Sequence, residues 1–118
     1  MMTETAPLRT LIVDDEPLAV ERMQLLCADR SDLQLVGTAN DGASALRLVE
    51  ALKPDLVFLD IGMPERDGMS VARELVRQDG SVPPAVIFVT AFEGFAVEAF
   101  DLSAVDYLLK PVSGDRLG

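Results

Sequence analysis

The sequence predicts a doubly wound α/β domain built on a five-stranded parallel sheet, and three observations carry that expectation. Short apolar runs recur along the chain: Leu11-Ile12-Val13, Leu33 to Val36, Leu56-Val57-Phe58-Leu59, Ala85-Val86-Ile87-Phe88-Val89 and Val105 to Leu109. Stretches of helical periodicity separate them, which is how alternating βα units look in sequence. The first, third and fourth runs are continuously apolar, as strands buried on both faces of a parallel sheet must be. At 118 residues, 49% of them hydrophobic, the chain has room for one domain with one core.

Each element has its own local reason. Pro17 suits the first turn of the helix after the first run, where its missing N–H would be unpaired anyway. Ala19, Met23, Leu26 and Cys27 then fall at i, i+4, i+7 and i+8 and form that helix's core-facing stripe. Asp41 is the expected cap of the second helix, striped by Ala45, Val49 and Leu52. The Asp67-Gly68 turn opens a third, striped by Met69, Ala72 and Val76, and Ala96, Ala99 and Phe100 mark a fourth. Lys53-Pro54, Gly80 and Pro83-Pro84 fall between elements. The expected order is (βα)₄β, with the start of a fifth helix at Ser113. No internal repeat, low-complexity tract or linker interrupts it.

Composition excludes whole classes of function. Twenty Asp+Glu against ten Lys+Arg give a formal charge of −10, so the surface repels phosphate backbones and anionic lipid, and direct nucleic-acid or membrane binding is not expected. With no His and only Cys27, neither a His-based triad, nor a Cys/His zinc cage, nor an internal disulfide can form. A reducing, cytoplasmic setting fits that cysteine usage. The start, Met1-Met2-Thr3-Glu4-Thr5-Ala6-Pro7, lacks a basic region followed by an apolar stretch, and no apolar run approaches about 18 residues.

In open parallel sheets, ligands bind beyond the carboxyl ends of the strands, so the residues that close each run matter most. The first run ends in Asp14-Asp15-Glu16, the third in Asp60, the fourth in Thr90 and the fifth in Lys110-Pro111. Right-handed crossovers place the first strand centrally with the third and fourth beside it, which gathers Asp14, Asp15 and Asp60 at one rim. Carboxylates packed so closely call for a cation, and a few hard oxygen ligands suit Mg²⁺ better than Ca²⁺. A carboxylate, a hydroxyl, an ammonium and a divalent ion at one point make a site for a phosphoryl group, with Asp60 as its acceptor.

Taken singly, these residues have plainer readings. Asp14-Asp15-Glu16 alone reads as a solvated flank complementing a helix dipole, Asp60 as a turn cap, Thr90 as a strand-end hydroxyl bonded to backbone, and Lys110 as a surface charge. Their recurrence at four strand ends favours the joint reading. Gly42, Gly68, Gly80 and Gly94 serve turns, and no GxGxxG or GxxxxGK[ST] pattern supports a nucleotide cradle. Met63 and Cys27 read as packing residues.

Val13-Asp14-Asp15-Glu16-Pro17, Leu59-Asp60-Ile61-Gly62-Met63-Pro64 with Asp67-Gly68, Val89-Thr90-Ala91, and Asp106-Tyr107-Leu108-Leu109-Lys110-Pro111 together resemble the receiver domain of bacterial two-component response regulators. The likeness runs from about Leu8 to Val112. It implies a flavodoxin-like fold of strand order 2-1-3-4-5, with Asp60 accepting phosphate from a phosphohistidine on a sensor histidine kinase. It also implies that Asp15 binds Mg²⁺ directly, Asp14 directly or through water, and that Gly62 offers its backbone carbonyl. Lys110 would pair with Asp60 and then with the phosphoryl group. Thr90 and Tyr107 would form the switch, and the small Ala91 would leave the phosphate accessible. Glu16 matches a position that is often acidic without being a required ligand.

The stretch from Ala91 to Phe100 leading into Ala104 to Pro111 is similar to receivers of the LytTR group, whose output domain binds DNA. The chain stops at Gly118, where a receiver continues into a full fifth helix. It therefore reads as one receiver domain over residues 1–118, the N-terminal part of a longer regulator, with the fifth helix truncated or missing and the output domain absent. Two further expectations follow: a cis Lys110-Pro111 bond, and a homodimer through the face of the fourth helix and fifth strand.

Two rivals are weaker. A phosphatase of the haloacid dehalogenase kind carries a second acid two residues after its nucleophile, where this chain has Gly62. A phosphate-independent interaction domain would have lost site residues, yet every site position is filled. The expected activity is that of a phosphorylation-controlled signalling module, not of a turnover enzyme.

Overall fold

A computed structural model describes residues 6–61, 68–77, 84–90 and 106–109. Its elements in order are β1 (Leu8–Val13), α1 (Pro17–Ala28), β2 (Leu33–Ala39), α2 (Gly42–Leu52), β3 (Leu56–Leu59), α3 (Gly68–Arg77), β4 (Ala85–Thr90) and β5 (Asp106–Leu109). All the strand pairings are parallel, and the order is β2-β1-β3-β4-β5. This is the flavodoxin-like arrangement expected. One detail differs: β3 holds the middle, and β1 is flanked by β2 and β3, so β4 borders β3 and not β1.

The continuously apolar strands are buried on both faces, as their composition demands. One face sends Leu11, Val13, Val57, Leu59 and Phe88 into a core shared with Ala45 and Val49 of α2 and with Val71 and Ala72 of α3. The other sends Ile12, Phe58 and Val89 against Met23 and Cys27 of α1. The layers are therefore helix, sheet, helix, with the rims of the sheet left open for chemistry.

Helix boundaries follow local rules. Pro17 occupies the first turn of α1, and Asp41 caps α2 by accepting from the Ser44 backbone N–H at 2.7 Å. Lys53, at φ 48°, ends α2 in the left-handed region, the conformation helices adopt to stop, and Pro54 follows. The stripes differ in places. In α1, Met23 and Cys27 are buried and Ala19 only partly so, with Val20 and Leu26 packed against the core, while Leu18 and Leu25 face solvent. In α3, Val71 is buried beside Ala72, because the helix lies against both α2 and the sheet and hides a wider arc than a three-residue stripe. The side chains of Met69 and Val76 lie outside the described residues, as do the helix expected around residues 96–100, the start of a fifth helix at Ser113 and the Lys110-Pro111 bond.

Both early strands are longer than their apolar runs. β1 begins at Leu8 and β2 extends to Ala39, with a register shift opposite Thr10 and Leu11. Past that shift the pairing runs to Val13↔Ala39. A Cβ at Gly37, just past the shift, would come within 3.2 Å of Leu52 Cδ1, so glycine lets α2 sit close against the strand.

Candidate functional site

The carboxyl rim is assembled by backbone hydrogen bonds that continue the ladders past the strands. The Asp14 N–H donates to the Ala39 carbonyl at 3.0 Å, and the Asp60 N–H donates to the Val13 carbonyl at 2.9 Å. The sheet thus hands each aspartate to its neighbour: β2 holds Asp14, and β1 holds Asp60. The Asp14 carboxylate in turn accepts from the Glu16 N–H at 2.9 Å, turning the chain into α1. The Ala39 contact was not visible in the sequence, because it depends on register, whereas the Asx-type turn is local to Asp14 and Glu16.

Asp14, Asp15 and Asp60 come together as expected. One carboxylate oxygen from each lies within 4.8 Å of the others. Asp14 and Asp60 are 3% and 5% exposed, and Asp15 is the more open of the three. Oxygens this near one another need only small side-chain shifts to share an ion whose ligands stand at about 2.1 Å. Three oxygen donors, two of them buried, therefore fit a hard divalent cation, whose charge would offset their mutual repulsion. Thr90 closes β4 at the same rim, fully buried. Its register partner is Leu109, and Tyr107 pairs with Phe88, so β5 brings Tyr107 alongside β4 just short of the rim. The side chain of Tyr107, and all of Gly62, Ala91 and Lys110, lie outside the described residues.

Other charged and polar groups have structural accounts. Asp41 is held below the usual carboxylate range, first by the Ser44 backbone N–H and Ser44 hydroxyl, with the Arg47 charge a lesser cause. Asp32 is lowered mainly by its hydrogen bond from Arg30, an ion pair of 2.6 Å on the surface. Burial pushes the Cys27 thiol up and makes it a poor nucleophile. These groups are accounted for by caps, pairs and packing. The three rim aspartates converge instead on a common point.

A parallel five-stranded sheet with acids gathered where β1 and β3 end defines a class of signalling domain, and comparison with known proteins agrees. Residues 10–118 match the family described as response regulator receiver domain, and the chain belongs to that family. It is a domain of two-component signalling, regulatory in kind. Among relatives, it is 49% identical over 111 residues to the positive alginate biosynthesis regulatory protein of Pseudomonas aeruginosa; the match covers 93% of this chain and 44% of that protein. The chain therefore spans less than half the length of that relative. Among solved structures, the response regulatory domain of protein mrkE from Klebsiella pneumoniae superposes with a TM-score of 0.86 at 36% identity, covering 93% of this chain and 88% of that one. The CheX-CheY-BeF3-Mg²⁺ complex from Borrelia burgdorferi gives a TM-score of 0.85 at 25% identity, covering 95% and 84%. Among the described residues, no helix is long and apolar enough to cross a membrane.

Proposed function

We propose that Asp60 is the phosphoryl acceptor of this receiver and that Asp14, Asp15 and Asp60, with the Gly62 carbonyl, hold the Mg²⁺ that acceptance requires. The observation that carries this reading is the convergence of the three carboxylates, two of them buried, at the ends of β1 and β3. The Borrelia neighbour, solved with beryllofluoride and Mg²⁺, supports it by likeness. The bound ion supplies charge neutralisation for the incoming phosphoryl oxygens. An Asp60 oxygen attacks phosphorus, the bond from phosphorus to the donor's imidazole nitrogen breaks, and its electron pair stays on that nitrogen. The donor is the phosphohistidine of a sensor histidine kinase.

Burial of Asp60 keeps water from competing with it, and its backbone bond to Val13 fixes where it stands. Lys110 pairs with the acceptor and then with the phosphoryl group. The Thr90 hydroxyl moves to a phosphoryl oxygen, the Tyr107 ring turns into the space it leaves, and the small Ala91 keeps the approach open. That change biases the face of β5 and the helix before it, where a homodimer would form. In the whole regulator the output is a DNA-binding domain that follows this one, and the setting is the cytoplasm.

The test is intact mass after incubation with acetyl phosphate and Mg²⁺. The wild-type chain gains one phosphoryl group only when metal is present, and Asp60→Asn gains none, since an amide cannot form the acyl phosphate. The same gain on Asp60→Asn would overturn the assignment.

A further inference from the structure

Among the described residues, the two most exposed large hydrophobic side chains both belong to α1: Leu18 at 80% and Leu25 at 66%. Seven residues apart on a helix, they stand only about 20° from each other around the axis and form one outward stripe. Glu21 and Arg22, both exposed, lie about 50° to either side of that stripe. The side of α1 that carries Met23 and Cys27 is buried against the sheet, so the stripe points away from it. A chain of net charge −10 repels its own copies over most of its surface. On this face the two flanking charges cancel.

We infer that this face of α1 docks on the same face of a second copy, the two helices running parallel about a two-fold axis that lies between them. The flanking charges decide the occupant and the direction. A two-fold axis along the helices carries the left flank of one copy onto the right flank of the other, so Glu21 meets the partner's Arg22 on one side and Arg22 meets the partner's Glu21 on the other. Leu18 then faces Leu18 of the other copy, and Leu25 faces Leu25, as apolar residues at heptad spacing do in paired helices. An antiparallel pair keeps each flank on its own side and sets Glu21 against Glu21 and Arg22 against Arg22. Arg22 has an interaction within its own chain, but a guanidinium carries five donors. Asp29, exposed just past the helix end, continues the face and meets its own copy, which keeps the contact weak. Because α1 starts at Pro17, directly after Asp15 and Glu16, parallel pairing sets the two acidic rims at the same end of the dimer. The contact uses none of the β5 face and does not depend on the metal reading.

Sedimentation of the unphosphorylated chain is the test. The wild type should dimerise reversibly and weakly, since one helix from each copy buries little surface. Glu21→Arg or Arg22→Glu alone turns both cross-pairs into repulsions and should weaken dimerisation about tenfold or more. All four positions are exposed, so these variants keep the fold, which circular dichroism checks. The double exchange, Glu21→Arg with Arg22→Glu, restores opposite charges and should recover the dimer. An equal mixture of the two single variants should pair with each other although neither pairs with itself. Leu18→Cys and Leu25→Cys should each cross-link to their own kind under mild oxidation, the native Cys27 being buried. A wild type still monomeric at about 1 mM, a dimer untouched by either charge reversal, a double exchange that fails to recover it, or cross-links that form only between the two cysteine variants would each overturn the inference.

Discussion

The two rims of the sheet carry similar residues and use them in opposite ways. At the amino-terminal rim, where β1 begins, Arg9 donates through its guanidinium to the carbonyls of Leu52 and Lys53, at 2.5 and 3.1 Å, and so satisfies the end of α2. Its backbone N–H donates to the Asp55 carboxylate at 2.9 Å, and the Asp55 N–H returns a bond to the Arg9 carbonyl at 2.8 Å. Each charge there meets a donor or acceptor of suitable kind, including the orphan carbonyls that every helix leaves at its C-terminus. At the carboxyl rim, three like charges lie within 4.8 Å of one another, two of them buried. The first arrangement stabilises the fold. The second gathers acids whose mutual repulsion a bound cation would offset, and crowding of this kind is where function is sought.

The largest expected effect sharpens this contrast directly. Mg²⁺ at about 100 times its dissociation constant should stabilise the wild type by roughly 2.7 kcal/mol, since an ion that binds only the folded site shifts the equilibrium by mass action. Denaturant melts with and without the metal measure it, and a midpoint indifferent to Mg²⁺ would place the carboxyl rim in the same structural class as the other.

Next in size, Arg9→Met should cost about 2 kcal/mol, because it keeps the aliphatic stem but strands two helix-end carbonyls. Its effect should not depend on Mg²⁺, being at the far rim. A metal-dependent loss in the same melts would mean that the two ends are coupled.

Asp60→Asn should move stability the other way. Removing one of three crowded charges should stabilise the metal-free chain by about 1 kcal/mol, well below the full Coulomb scale because Asp15 faces solvent. It should also shrink the gain from Mg²⁺. A destabilised metal-free variant would show that the rim carboxylates are already compensated.

The smallest effect concerns acid. The carboxyls of Asp41 and Asp32 are lowered on folding, so the folded state favours their charged forms. Their contribution is present above the unfolded carboxylate value near 4 and is lost as pH falls through the lower folded values. Asp41→Asn, which retains a capping side chain, should flatten the loss of stability as pH falls below the unfolded carboxylate value near 4 without altering Mg²⁺ binding at neutral pH. Equal acid sensitivity in the variant would mean that the capping bond adds nothing to the linkage.

Much of this was legible in the residue order. Continuous apolar runs such as Leu56 to Leu59 declare strands buried on two faces, Pro17 and Asp41 declare helix starts, and acids at the ends of two runs declare a shared rim. These signals are local: they depend on periodicity, on backbone chemistry and on the general rule that ligands sit at the carboxyl ends of parallel strands. The motifs around Asp14, Asp60, Thr90 and Lys110 also carried the family resemblance that the comparison bears out.

Tertiary structure alone decided the rest, because register and packing join residues that the sequence keeps far apart. The seam opposite Thr10 and Leu11 and the Val13↔Ala39 pairing put the Ala39 carbonyl against the Asp14 N–H. Nothing in the run Leu33 to Val36 announces that the strand continues so far. Arg9 reads as one more surface charge until α2 ends beside it. Val71 is buried because α3 meets two partners, which a single helical stripe cannot express. Side-chain period records which face of an element is apolar, while the partner that covers it, and the carbonyl or charge that partner delivers, exist only once the chain has folded.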